Sequence, residues 1–237
     1  NSLFLGMAIG YEFNFNFAFV ILFLSSIIIL LLITVSLKGF LLANYLPFLS
    51  LPFIISYWIV SLSASNFTNI QLDESHVFLV NEVARNKTSS FYVFINSLDH
   101  VGLFPLAITY FKTLAGIFFQ TSILGGVIIA LGLLQFSRIA FSLSILGFTC
   151  AYFYYSIFGA DVNDLNQNLL GANFIFLAIG IGCFFVIPNV NSYITVVLLT
   201  PVLLLTSLAL NKILAVFNIH SYSFSFSLIT ILFLLTL

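Results

Sequence analysis

Apolar residues along this chain come in continuous blocks. The clearest covers 17–37, 21 positions without a charged side chain. Blocks at 139–159, 170–188 and 193–210 repeat the pattern, and 46–62 and 122–136 are shorter versions of it. A helix needs roughly 20 consecutive apolar residues to cross a hydrocarbon layer of about 30 Å, and in lipid a helix satisfies its own backbone hydrogen bonds. The blocks therefore predict an all-α integral membrane protein with several spanning helices. Strands of a membrane barrel would alternate in polarity over about ten residues, and these blocks do not alternate. Because they recur along the whole chain, neither a signal peptide nor a single anchor accounts for them.

Polar residues gather between 63 and 99, in Gln-Leu-Asp-Glu-Ser-His and Ala-Arg-Asn-Lys-Thr-Ser-Ser. This divides the chain into a first membrane part (1–63), a linking polar loop (64–98) with a short interfacial helix expected near 77–83, and a second membrane part (99–237). Composition sharpens the picture. Apolar residues make up 62% and charged residues 5%, against about a quarter charged in a soluble domain, so no water-facing surface can be built. The net charge of −1 gives no nucleic acid a reason to bind. Cys150 and Cys183 fall inside predicted spans and read as packing residues.

The chain also repeats itself. Asn1-Ser-Leu-Phe-Leu-Gly-Met-Ala-Ile-Gly-Tyr-Glu-Phe13 lies without gaps on Asn173-Phe-Ile-Phe-Leu-Ala-Ile-Gly-Ile-Gly-Cys-Phe-Phe185, with six of thirteen positions identical. Each copy is followed by a long apolar span that ends near a lysine, Lys38 or Lys212. A single-residue gap then sets Leu49-Ser-Leu-Pro-Phe53 on Tyr222-Ser-Phe-Ser-Phe226. The second copy is preceded by a long segment of its own half, so a comparable segment is expected upstream of Asn1.

Three motifs in this order resemble the urea transporter family, whose members consist of two homologous halves. Leu46-Pro-Phe-Leu-Ser-Leu-Pro-Phe53 is similar to the family's Leu-Pro-x-Leu-Thr-x-Pro-Phe, with Ser50 for threonine. Residues 1–6 and 171–178 are similar to its Asn-x-x-Leu-x-Gly stretch, with Phe4 and Phe176 for leucine. Thr113-Leu-Ala-Gly-Ile-Phe-Phe-Gln120 is similar to its Gly-x-Gly-Gln-Val-Phe-Phe pattern, with Gly116 where the family has glutamine or glutamate. The second terminal motif, Ser223-Phe-Ser-Phe226, lacks the proline. The resemblance implies two inverted homologous repeats of transmembrane helices with half-membrane pore helices, an arrangement that puts the solute path at the repeat interface. It also implies a homotrimer in the cell membrane (the inner membrane if bacterial), each subunit with its own path for urea or a similar small neutral solute.

Physical reading of the same residues points to a path rather than a reaction centre. Two prolines in 46–53 remove backbone donors, and non-helical backbone at membrane depth is tolerated only beside protein or a wet cavity. Ser50 and Ser223 then either accept hydrogen bonds from a passing solute or bond back to their own backbone. The resemblance places an aromatic slot for a planar solute at Phe119, and Phe118, Phe4 and Phe176 join it as candidate substrate contacts. Glycines 6, 10, 125, 126, 171, 180 and 182 suit close helix contacts. Glu12 is expected to reach water at a span end, because a buried acid is costly. His76, His100 and His220 are scattered and form no metal-ligand set, no cofactor is implied, and no catalytic constellation is visible. Two other readings remain: a membrane subunit of a flavin-linked, sodium-translocating electron-transfer complex, whose Ser-Gly-Ala-Thr-like flavin attachment sequence is absent here, and a noncatalytic anchor for a soluble domain.

Overall fold

The structure is a computed structural model describing residues 1–72, 105–120, 122–166 and 170–236, without the side chains of 163 and 166. The expected helix at 77–83, most of the polar loop, His76 and His100 lie outside the described residues. Regular structure among the described residues is helical: α1 (Ser2–Glu12), α2 (Phe17–Leu42), α3 (Leu51–Ala64), α4 (Pro105–Gly116), α5 (Ile123–Phe136), α6 (Arg138–Phe158), a 3₁₀ turn (Val162–Asn166), α7 (Leu170–Ile179) continuing into a π turn (Gly180–Phe184), α8 (Val190–Ala215) and α9 (Phe224–Leu234). The described residues form two compact units, 1–72 with Phe217–Ile219, and 105–216 with 220–236.

In the first unit α2 is the long element, 26 residues or about 39 Å. Asn16, in extended conformation, caps it by accepting the Phe19 N–H at 2.7 Å. Ile21, Leu24, Ile28, Leu31, Leu32 and Val35 are exposed along it, as suits a helix in lipid. The expected block at 46–62 becomes helical only at Leu51, with Pro52 in the first turn, where a missing N–H costs no helical bond. Pro47 stays in the non-helical stretch before it. At the other end of α3 the chain ties back to the α1–α2 turn. Asn14 N–H donates to the Gln71 carbonyl at 3.0 Å, Asn14 Nδ2 to Leu72 O at 3.2 Å, and Asn16 Nδ2 to Asn69 O at 2.9 Å. The α1–α2 turn thus meets the chain that follows α3.

The second unit is held by small residues at helix contacts. A Cβ on Gly126 of α5 would lie 1.9 Å from the Phe111 carbonyl oxygen of α4, and one on Gly147 of α6 would lie 2.7 Å from the Phe174 carbonyl and 2.5 Å from the Ala178 methyl of α7. Gly171 and Gly182 are similarly crowded, by Leu165 and Thr113 and by Leu143. Gly10 corrects the expectation for the set, since nothing lies within 4 Å of a Cβ there, and Gly6 makes only ordinary contact. Around these crossings Tyr110 bonds the Ser144 hydroxyl at 2.8 Å and sets its ring against Phe148 at 5.4 Å. Ser122 and Ser137 cap α5 and α6, and Asn189 with Ser192 forms a reciprocal capping box on α8.

Of these helices α2, α6 and α8 are long and apolar enough to cross a membrane, matching the predicted blocks 17–37, 139–159 and 193–210. The block at 170–188 is instead a helix that loosens into the π turn and breaks before Asn189.

Candidate functional site

Residues marked from sequence lie at one recurrent local arrangement, found once in each unit. In the first, the chain leaves α2, takes Leu49 into the left-handed region (φ 46°) and starts α3 from Ser50 (φ −96°, ψ 4°). Asn1 brackets this turn: its Nδ2 donates to the Leu49 carbonyl at 3.1 Å, and its Oδ1 accepts the Phe53 N–H at 3.4 Å. In the second unit Tyr222 has φ 42° and Ser223 (φ −92°, ψ 19°) starts α9. Asn173 donates to the Tyr222 carbonyl at 2.7 Å and accepts the Phe226 N–H at 3.1 Å. The aromatic neighbours correspond as well, with Phe4 on Phe53 at 5.9 Å and Phe176 on Phe226 at 5.6 Å.

The bracket has a chemical consequence for the serines. A serine at a helix start normally caps the third helical N–H with its own hydroxyl. Here the asparagine carbonyl takes that N–H. In α3 the Leu51 N–H bonds the Phe48 carbonyl and Pro52 has none to satisfy. Neither Ser50 nor Ser223 makes a side-chain cap bond. Ser223 is 5% exposed and Ser50 is half-buried. Further along α9 the hydroxyls of Ser225 and Thr230 are buried without a hydrogen-bond partner, whereas Ser227 bonds back to the Ser223 carbonyl at 3.2 Å.

Phe119 follows α4 with φ 57°, a conformation that costs a bulky residue energy, and its ring meets Tyr222 edge-on at 5.6 Å. It therefore stands beside the residue that precedes Ser223. Phe118, beside it, leaves 40% of its surface exposed. Ser223, Phe119 and Phe176 belong to the second unit, Ser50 and Phe4 to the first. Sequence reasoning missed Asn1 and Asn173 as working residues, although both head the thirteen-residue repeat as an identical pair. Glu12 corrects its expectation too: it is buried at 7% exposure and accepts the Tyr57 hydroxyl at 3.0 Å, because α1 and α3 run side by side from the bracket. Among the described residues no group of His, Cys, Asp and Glu is placed to hold a metal.

No curated protein matches the chain by sequence. The urea transporter family profile matches residues 1–237, which includes both brackets, the Phe118–Phe119 segment and the polar loop between them. That match supports neither the electron-transfer subunit nor the anchor reading. On a match that spans the whole chain, this protein belongs to the urea transporter family.

Proposed function

We propose that the protein passes urea, or a similarly small neutral amide, passively and selectively along a path to which Ser50 and Ser223 contribute hydroxyls and Phe119 an aromatic wall. The observation that carries this reading is the twin bracket, in which an asparagine from another helix takes over the capping bond of a serine at a helix start. Urea entering a narrow path sheds water, and each lost hydrogen bond must be replaced. A hydroxyl can accept its N–H or donate to its carbonyl, and a flat ring can hold its plane. The buried Ser225 and Thr230 hydroxyls of α9 offer the same chemistry.

Helix lengths support a mid-depth position for Ser50. The start of α2 is tied to the chain that follows α3, yet α2 measures about 39 Å and α3, at 14 residues, about 21 Å. Ser50 is then about 20 Å from the tied end, near the middle of a bilayer whose core is about 30 Å thick. In this reading α3 and α9 are the half-membrane pore helices of two inverted repeats, reached after α2 and α8 by connections of equal length, 43–50 and 216–223. The assembly is a homotrimer of such subunits in the cell membrane.

Stopped-flow light scattering on proteoliposomes tests the function, with urea, formamide and glycerol as solutes. Urea permeability well above that of empty vesicles, with glycerol unaccelerated, is the expected result. Equal acceleration of all three, or of none, overturns the proposal. Phe119→Ala is expected to admit bulkier amides while urea flux changes less.

A further inference from the structure

Glu12 closes α1 in a setting that suits no bare anion. Only one of its carboxylate oxygens is used, by Tyr57 at 3.0 Å; Oε2 is buried without a hydrogen-bond partner. The negative end of a helix dipole repels an anion and attracts a cation, and Glu12 is the last residue of α1. Lys38 is the single basic residue among the described residues 1–72, and it lies 21 residues beyond the start of α2, about 32 Å along the helix from the Glu12 end. No lysine or arginine of α1, α2 or α3 can therefore neutralise this carboxyl.

Beside it is a cavity of about 360 Å³ lined by Glu12, Phe13, Ser61, Ser65, Phe67 and Leu72. Tyr57, Ser61 and Ser65 follow one another at four-residue spacing and so share one face of α3. The polar lining carries acceptors in a carboxylate, two serine hydroxyls and the Asn218 amide. Phe13 and Phe67 add aromatic surface, which attracts cations over its faces. None of these lining residues carries a positive charge.

We propose that this cavity is a binding site for a small organic cation bearing N–H donors, of the guanidinium or ammonium class, with Glu12 as its counter-charge. The site is separate from the contacts proposed for urea: Ser61 lies eleven residues beyond Ser50, about 16 Å along α3. Its occupancy does not depend on the permeation reading, because binding is measured without flux. A planar cation supplies the partner that Oε2 lacks, and its charge offsets both the carboxylate and the helix end. Urea offers the same N–H geometry without the charge and is the natural comparison.

The chain's single tryptophan, Trp58, follows Tyr57 on α3 and gives a local optical signal. Detergent-purified protein is titrated with guanidinium chloride at millimolar concentrations and constant ionic strength, by tryptophan fluorescence and by calorimetry. Urea and tetramethylammonium, which has no N–H, are titrated in parallel. The proposal expects saturable guanidinium binding, weaker binding of the other two, and an affinity loss of about tenfold or more in Glu12→Gln, the order of effect of a lost charge-assisted hydrogen bond. Ser50→Ala is expected to leave guanidinium binding intact. Should Glu12→Gln not fold, Ser61→Leu, which fills the cavity and keeps the carboxylate, must also abolish binding. Absence of saturable guanidinium binding, unchanged affinity in Glu12→Gln or Ser61→Leu, or equal binding of urea or tetramethylammonium overturns it.

Discussion

At the head of α3, Asn1 spans its turn with bonds of 3.1 and 3.4 Å; at the head of α9, Asn173 makes the equivalent bonds at 2.7 and 3.1 Å. Asn173 is wholly buried, while Asn1 is half-buried. The helices that follow also start alike, from Asn16 (φ −147°, ψ 179°) and Asn189 (φ −151°, ψ 177°). Between asparagine and cap, however, the second copy has one residue more. That residue is absorbed in the π turn Gly180–Phe184, where the Phe185 N–H reaches back five residues to the Gly180 carbonyl at 2.8 Å. Bracket and cap keep their geometry, and the helix joining them takes up the difference. What is held constant is the turn that delivers the serine.

The two brackets are separated most strongly by removing the asparagines. Asn173→Ala removes the partner of a part-buried N–H on Phe226 and of a buried carbonyl on Tyr222, each worth about 1–3 kcal/mol, so a loss of a few kcal/mol is expected in thermal unfolding of the detergent-solubilised protein. Close packing gives the next contrast. Gly126→Ala drives a methyl into the Phe111 carbonyl of the second unit and is expected to cost about 1–3 kcal/mol or more, whereas Gly10→Ala in the first unit meets open space and gains up to about 1 kcal/mol of helix propensity. A smaller effect is expected from Asn1→Ala, about 1 kcal/mol, since its longer bonds are the weaker ones and it is less buried. Equal losses in Asn1→Ala and Asn173→Ala would mean that burial does not distinguish the brackets.

How much of this is legible in the chain depends on distance along it. The spans α2, α6 and α8 are plain in sequence because a run of about 20 apolar residues has few other structures open to it. The short helices α1, α4 and α9 do not register as spans, and the repeat and the family motifs are what draw attention to α1 and α9. The single-residue gap is visible when the copies are aligned, but its place is misjudged: the ungapped match of 1–13 on 173–185 puts it after Phe185, whereas the π turn takes it up within Gly180–Phe184. Ser50, Ser223 and Phe119 are legible through the family motifs. The role of Asn1 and Asn173 is not, because their partners lie 48 to 53 residues away. Glu12 is misjudged for the same reason, since Tyr57, the residue that allows its burial, is 45 positions on.

That both brackets serve one solute path, as proposed, is checked by urea permeability of proteoliposomes containing wild type, Ser50→Ala, Ser223→Ala and the double variant at matched protein density. Each alanine removes one hydrogen bond to a desolvated solute, about 0.5–1.5 kcal/mol net, or a several-fold loss at tenfold per 1.4 kcal/mol. Each single variant is expected to lose flux by such a factor, the double variant more than either, and all three to unfold at the wild-type temperature. Wild-type urea flux in both single variants would contradict it.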